Sequence, residues 1–184
     1  MKNIIQYIAS LGTCALVAAC GSTGGGGSTT GGGDAAAGSW KKVPGVSNTV
    51  TGKREVMKVT IDGREVVAML VWRDYSAALD GAVTKWYGDM STPPPRFVVE
   101  SMMISIDGKG MIIPQSKSRY LASQWMNEVS HLGLNQRGKQ LRVLVDVGDG
   151  AESWTATYVI DPATLTLVSH AVGDGPAVHN EIVE

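Results

Sequence analysis

The chain has 184 residues, 43% of them apolar and 18% charged, with a formal net charge of −1. That length and makeup suit one globular domain and exclude a chain disordered throughout. The near-neutral balance removes any bulk electrostatic reason to bind nucleic acid or an anionic lipid surface. The two cysteines, Cys14 and Cys20, both precede residue 21, so the remainder holds neither a disulfide scaffold nor a Cys-rich metal site.

Met1-Lys2-Asn3 is a short basic start, and residues 4–18 form an apolar stretch ending in small residues. This is the shape of a signal peptide. The alternative is an uncleaved anchor, but a spanning helix needs about 20 predominantly apolar residues, and the stretch stops short at the Gly/Ser/Thr tract that begins at Gly21. The stretch closes on Val17-Ala18-Ala19-Cys20, which resembles the lipobox of bacterial lipoproteins. The resemblance implies thioether attachment of diacylglycerol to Cys20, cleavage after Ala19, acylation of the new amino terminus and membrane attachment through those acyl chains, since two or more chains hold stably where one does not. With Gly21 rather than Asp following the cysteine, it further implies an outer-membrane location facing the periplasm in a Gram-negative host.

Residues 21–38, GSTGGGGSTTGGGDAAAG, offer nothing to bury and read as a flexible tether. The expected organisation is therefore a signal peptide over 1–19, a lipidated cysteine and tether over 20–38, and one β-rich domain over 39–184. Inside that domain, residues 53–61 and 64–72 flank Asp62-Gly63, and residues 96–106 and 109–113 flank Asp107-Gly108. Asp-Gly between apolar runs signals a hairpin, because a type I′ turn needs positive φ at both central positions. Between the hairpins, residues 74–87 place Leu79, Val83 and Trp86 at helical spacing, but Asp80-Gly81 weakens a helix by about 1 kcal/mol. A loop and a short strand at 82–87 are expected instead. Pro93-Pro94-Pro95 reads as an extended connector.

Residues 116–126 are the best helix candidate, following Pro114 with a Ser cap and bringing Tyr120, Leu121 and Trp125 together. Strands at 139–147, 153–160 and 165–171, joined at Gly148-Asp149-Gly150 and at Asp161-Pro162-Ala163-Thr164, read as an antiparallel meander. Alternation of Trp154, Ala156, Tyr158 and Ile160 with Ser153, Thr155 and Thr157, and of Leu165, Leu167 and Ser169 with Thr166 and Val168, gives the last two strands one buried face and one wet or half-wet face. The fold expected is mainly β (α+β), a sandwich or partly open barrel with one or two short helices.

Catalytic and cofactor motifs are scarce. Gly133-Leu134-Asn135-Gln136-Arg137-Gly138-Lys139-Gln140 approaches a phosphate-binding loop, but Gln140 replaces the magnesium-binding hydroxyl and no helix opens after Lys139. Residues 135–138 read better as a hairpin turn. His170 and His179 with Asp174 and Glu181 could form a zinc site only at spacings that match no compact ligand set. Ser130 and His131, being adjacent, would point to opposite faces of a strand, which opposes a direct nucleophile–base pair. Asp146, Asp149 and Glu152 lack calcium-loop spacing and suit turns. No cofactor, metal, nucleotide or nucleic-acid partner is expected.

Charge is divided along the chain. Residues 21–142 hold fifteen basic and ten acidic side chains, a balance of +5, while residues 143–184 hold seven acidic and no basic ones, a balance of −7. Two accounts remain open: cross-strand pairing with Arg137, Lys139 and Arg142, or an acidic surface that steers a cationic protein partner. Of the five tryptophans, Trp72 and Trp154 fall on strands and suit the core, whereas Trp40 and Trp86 with Tyr87 are candidates for an exposed interface. The function expected is that of a lipid-anchored envelope binding protein, an accessory factor or an inhibitor- or immunity-type binder without catalysis. The competing expectation is a small hydrolase of envelope polymer that uses paired carboxylates.

Overall fold

The computed structural model describes residues 39–88, 93–126, 130–148 and 153–175. Cys14 and Cys20, the tether, His179, Glu181, Asp149 and Glu152 lie outside the described residues. In chain order the strands are β1 (Lys41–Lys42), β2 (Ser47–Thr51), β3 (Arg54–Ile61), β4 (Arg64–Asp74), β5 (Phe97–Ile106), β6 (Lys109–Ile112), β7 (Ala122–Ser123), β8 (Leu132–Arg137), β9 (Gln140–Val147), β10 (Trp154–Asp161) and β11 (Thr166–Asp174). They form two antiparallel sheets, ordered β2-β3-β4-β5-β6, with β7 also on β5, and β1-β8-β9-β10-β11. The protein is mainly β, as its alternating short strands require, with a curled, partly open arrangement of sheets. No helix among the described residues is long and apolar enough to cross a membrane.

Both Asp-Gly hairpins form in the expected register. Ile61 pairs with Arg64 and Ile106 with Lys109, and φ is 51° and 76° at Asp62 and Gly63, 51° and 77° at Asp107 and Gly108. The final meander also forms: β9, β10 and β11 are neighbours. Strand periodicity puts Met57, Val59, Val66, Ala68, Leu70, Trp72, Met102 and Ile104 on the inner face of one sheet. Leu132, Leu134, Val143, Val145, Ala156, Tyr158 and Ile160 lie on the inner face of the other, and the two sets share one apolar cluster. Each fully buried large side chain contributes about 1.5–3 kcal/mol.

Four expectations need correction. Residues 116–126 are not a helix: only a 3₁₀ turn over Gln115–Lys117 forms. The chain then buries Leu121 and pairs Ala122 and Ser123 with Val98 and Phe97 of β5, and sheet pairing overrides the weak helical pattern. Trp125, placed with Tyr120 and Leu121 in that helix, is instead 61% exposed.

The strand expected at 82–87 is a single parallel bridge, Tyr87 to Leu121. It follows one helical turn, α1 (Ala77–Asp80), which the sequence reading dismissed. That turn persists despite Gly81 because Asp80 takes two hydrogen bonds from the Arg73 guanidinium, at 2.6 and 2.7 Å, and one from the Ser76 amide at 2.9 Å. Asp80 thereby replaces a helix's missing length with a link to β4.

The third correction concerns β10, which has no wet face. Thr155 and Thr157 are as buried as Ala156 and Tyr158, and their hydroxyls are satisfied by partners on β9, β11 and Gly175. Thr155 shares its one hydroxyl proton between the Asp146 carboxylate and the Gly175 carbonyl, and Thr157 donates to the Ala171 carbonyl. Finally, the bend expected at 135–138 lies at Gly138-Lys139, where Gly138 has φ 57°. Asn135 to Arg137 belong to β8 and pair with Arg142 to Gln140 of β9.

Candidate functional site

An open cleft of about 580 Å³ lies between residues 82–87, residues 116–120 and residues 170–172 of β11. The first two segments are irregular loops held together by backbone pairing. The Tyr87 amide donates to the Tyr120 carbonyl and the Ala122 amide to the Tyr87 carbonyl, both at 2.9 Å. Gly88 ends this contact at φ 136°, where an added Cβ would sit 1.9 Å from the Ala122 carbonyl oxygen. Only glycine permits that approach.

Lys85, Lys117 and Arg119 line the cleft, all three exposed, and no Asp or Glu is among its lining residues. None of the three makes an ion pair among the described residues. The Arg119 charge helps to hold the Asp80 carboxyl low, but Asp80 is already committed to Arg73.

The cationic groups stand on an ordered aromatic floor. The Lys85 ammonium lies 4.7 Å from the Tyr87 ring centroid and 5.7 Å from that of Trp154, and Tyr87 meets Tyr120 and Trp154 edge to face. The Lys117 carbonyl accepts the hydroxyls of Tyr120 and Tyr158 at 2.7 and 2.8 Å, which fixes the backbone that carries Lys117. With the Tyr120 proton on that carbonyl, the 2.5 Å contact to His170 is completed by the imidazole Nε2–H donating to the Tyr120 oxygen. Burial, and then the Lys117 charge, hold the His170 pKa below its usual value, so the ring is neutral at pH 7. Burial raises the Tyr120 phenol above the usual tyrosine range, and the neighbouring Tyr87 adds to the rise. The cleft thus offers positive charge and hydrogen-bond donors, with no carboxylate or activated nucleophile facing them among the described residues.

The residues singled out in the sequence do not come together as one surface. Tyr87 belongs to the cleft. Trp86 packs edge-on against Tyr75 at 6.1 Å. Trp40 is half-buried, with the Arg137 and Arg142 guanidinium groups 4.4 and 4.6 Å from its ring centroid. His170 serves the Tyr120 network, and no group of three or more candidate metal ligands occurs among the described residues.

Ser130 and His131 precede β8, so strand alternation does not separate them, and both turn onto Glu55. Glu55 has none of its surface exposed. It accepts His131 Nδ1–H at 2.6 Å, the His131 amide at 2.7 Å, Trp72 Nε1–H at 2.6 Å and the Ser130 hydroxyl at 3.0 Å. Because serine and histidine share one acceptor and do not bond each other, the group is a buried anchor between β3, β4 and the entry to β8 rather than a nucleophile with its base. Comparison with protein-family models, curated proteins and solved structures returned no match.

Proposed function

We propose that this chain is a lipid-anchored protein of the bacterial envelope that acts by binding, and that the Lys85–Lys117–Arg119 cleft is where it holds its ligand. The observation that carries this reading is the cleft's composition: three cations without carboxylate partners among the described residues, on a hydrogen-bonded base. The resemblance of Val17-Ala18-Ala19-Cys20 to a lipobox and the Gly/Ser/Thr tract behind it support the anchoring. The competing hydrolase reading requires two carboxylates roughly 5–9.5 Å apart across a cleft. Among the described residues the cleft presents none, and the buried carboxylates Glu55 and Asp80 are occupied by His131, Trp72 and Arg73.

The test is complementation of a deletion strain with Lys85→Gln/Lys117→Gln/Arg119→Gln. These side chains are exposed, so the variant should melt with the parent protein yet fail to complement. Full complementation would end the binding-cleft reading. Fractionation of Cys20→Ser tests the anchor separately: the protein should move from membrane to soluble envelope fraction, and retention in the membrane uncleaved would assign anchoring to residues 4–18.

A further inference from the structure

We infer that the cleft is a site for a phosphate monoester, with the phosphoryl group held among Arg119, Lys117 and Lys85 and its organic substituent lying along the open remainder. The inference rests on the binding reading above and narrows it to a ligand chemistry. Three formal positive charges on exposed side chains that make no ion pair among the described residues face one space, and their mutual repulsion is relieved more by a divalent anion than by a single carboxylate. The donor types match the same group. A guanidinium gives two parallel N–H bonds to a pair of phosphoryl oxygens, and two ammonium groups serve as point charges for the third.

Placement is prepared before any ligand arrives. The carbonyl of Lys117 is pinned by two tyrosine hydroxyls, and the Lys85 ammonium rests over Tyr87. A ligand therefore meets groups whose backbone or head is already positioned, which lowers the ordering term of binding. The volume falls within the range of about 300–1,000 Å³ typical of sites for whole small molecules, so a phosphate with its carbon skeleton fits. The remaining wall combines small side chains such as Ala82 and Ser116 with Val83, Val172 and the rings of Tyr87, Tyr120 and His170, against which the organic substituent would lie.

One chemistry has two sources here, a soluble phosphate ester or a lipid headgroup, and titration of the full chain in nonionic detergent separates them. The probes are glycerol 3-phosphate, glycerol, and the short-chain lipid dihexanoyl phosphatidic acid. Saturable binding of glycerol 3-phosphate with none of glycerol is expected. Lys117→Gln and Arg119→Gln should each weaken binding about tenfold. Arg119→Lys should fall between Arg119→Gln and the parent, because charge is kept and the fork is lost. Lys58→Gln, an exposed cation on β3, should change nothing.

If the phosphatidic acid binds at least tenfold tighter than glycerol 3-phosphate, the source is a headgroup; equal affinity assigns a soluble ester. Absence of saturable binding for both phosphates, or equal weakening by Lys58→Gln, overturns the inference. Should phosphate fail while the triple cleft variant still loses function in cells, the ligand class is wrong and the binding reading stands. Should phosphate bind while that variant complements fully, the reverse holds.

Discussion

Glu55 is a charge with no exposed surface, and its environment decides whether it stabilises or destabilises the fold. Burial alone pushes its carboxyl up, but the His131 ring and amide and the Trp72 indole outweigh burial and hold it below the ordinary glutamate value. Asp80 is likewise held below 3.8, first by the Arg73 hydrogen bonds. Carboxyls depressed in the folded state contribute stability that is present in full above the unfolded-state values and is lost as the pH falls through the folded ones. Stability to urea should therefore begin to fall below about pH 6.5, where the unfolded chain protonates His170 ahead of the folded one, and fall further below about pH 4 as the carboxyls protonate. A profile that rises on acidification would contradict this sign. Glu55→Gln keeps the volume but removes the charge opposite His131, and should destabilise by roughly 3 kcal/mol. Replacing both partners by Glu55→Leu/His131→Phe should not rescue it, since Trp72 Nε1–H and the residue 131 amide would still lack an acceptor. Urea melts of both variants check this. A signal for Glu55 did stand in the sequence: in Arg54-Glu55-Val56-Met57-Lys58-Val59 it shares the strand face of Met57 and Val59, and a carboxylate on a core face demands partners. The partners themselves were not legible, because His131 lies 76 residues away.

At the level of elements, local chemistry was readable where it is self-sufficient and unreadable where long-range pairing overrides it. An Asp-Gly turn satisfies its own φ requirements, so both hairpins stood in the sequence. Nothing within 4 Å would obstruct a Cβ at Gly63 or Gly108, so Gly63→Val and Gly108→Val should destabilise through backbone strain alone, by more than about 1 kcal/mol. Asp62→Asn should be nearly neutral. Asp107 differs from Asp62, since it accepts the Glu65 amide at 3.0 Å and pairs with Arg64 at 2.8 Å, so Asp107→Asn should melt below Asp62→Asn; equal melting temperatures would remove that distinction. The segment at 116–126 shows the opposite case. Its apolar spacing fits a helix, yet the backbone of residues 121–123 is taken by Val99, Tyr87, Val98 and Phe97, none of which local sequence reveals. The cleft was missed for the same reason: Lys85, Lys117 and Arg119 come together through the bridge from Tyr87 to Leu121. Gly88→Ala, which forces a Cβ into the Ala122 carbonyl, should part the two loops. It should weaken ligand binding in the cleft more than it lowers the melting temperature, whereas Gly138→Ala in the β8–β9 turn should not affect binding.

At the scale of the whole molecule, the sequence between the proposed anchor at Cys20 and the described domain is rich in Gly, Ser and Thr. The division of charge along the sequence gave no hint of a cationic cleft beside β11, the strand in the acidic stretch that contributes His170, Ala171 and Val172 to its wall. Sequence order and spatial order differ once strands from both halves pair. The tether reading yields a prediction that depends on neither fold nor cleft. Residues 21–38 contain no apolar side chain larger than Ala, so removing twelve of them deletes almost no burial and should leave the melting temperature unchanged. By random-coil scaling the full tract spans about 20–25 Å, and the six residues left span roughly 12–15 Å. The shorter tract confines the domain to the headgroup region and lowers its effective concentration at any target farther out. For a soluble phosphate ester the shortened protein should still complement a deletion strain, because a small molecule diffuses to the cleft. For a target held away from the protein's own membrane it should fail while the purified chain binds normally, and an unrelated Gly/Ser sequence of the original length should restore function. Failure that such a replacement does not repair would show that residues 21–38 act through their sequence rather than their length.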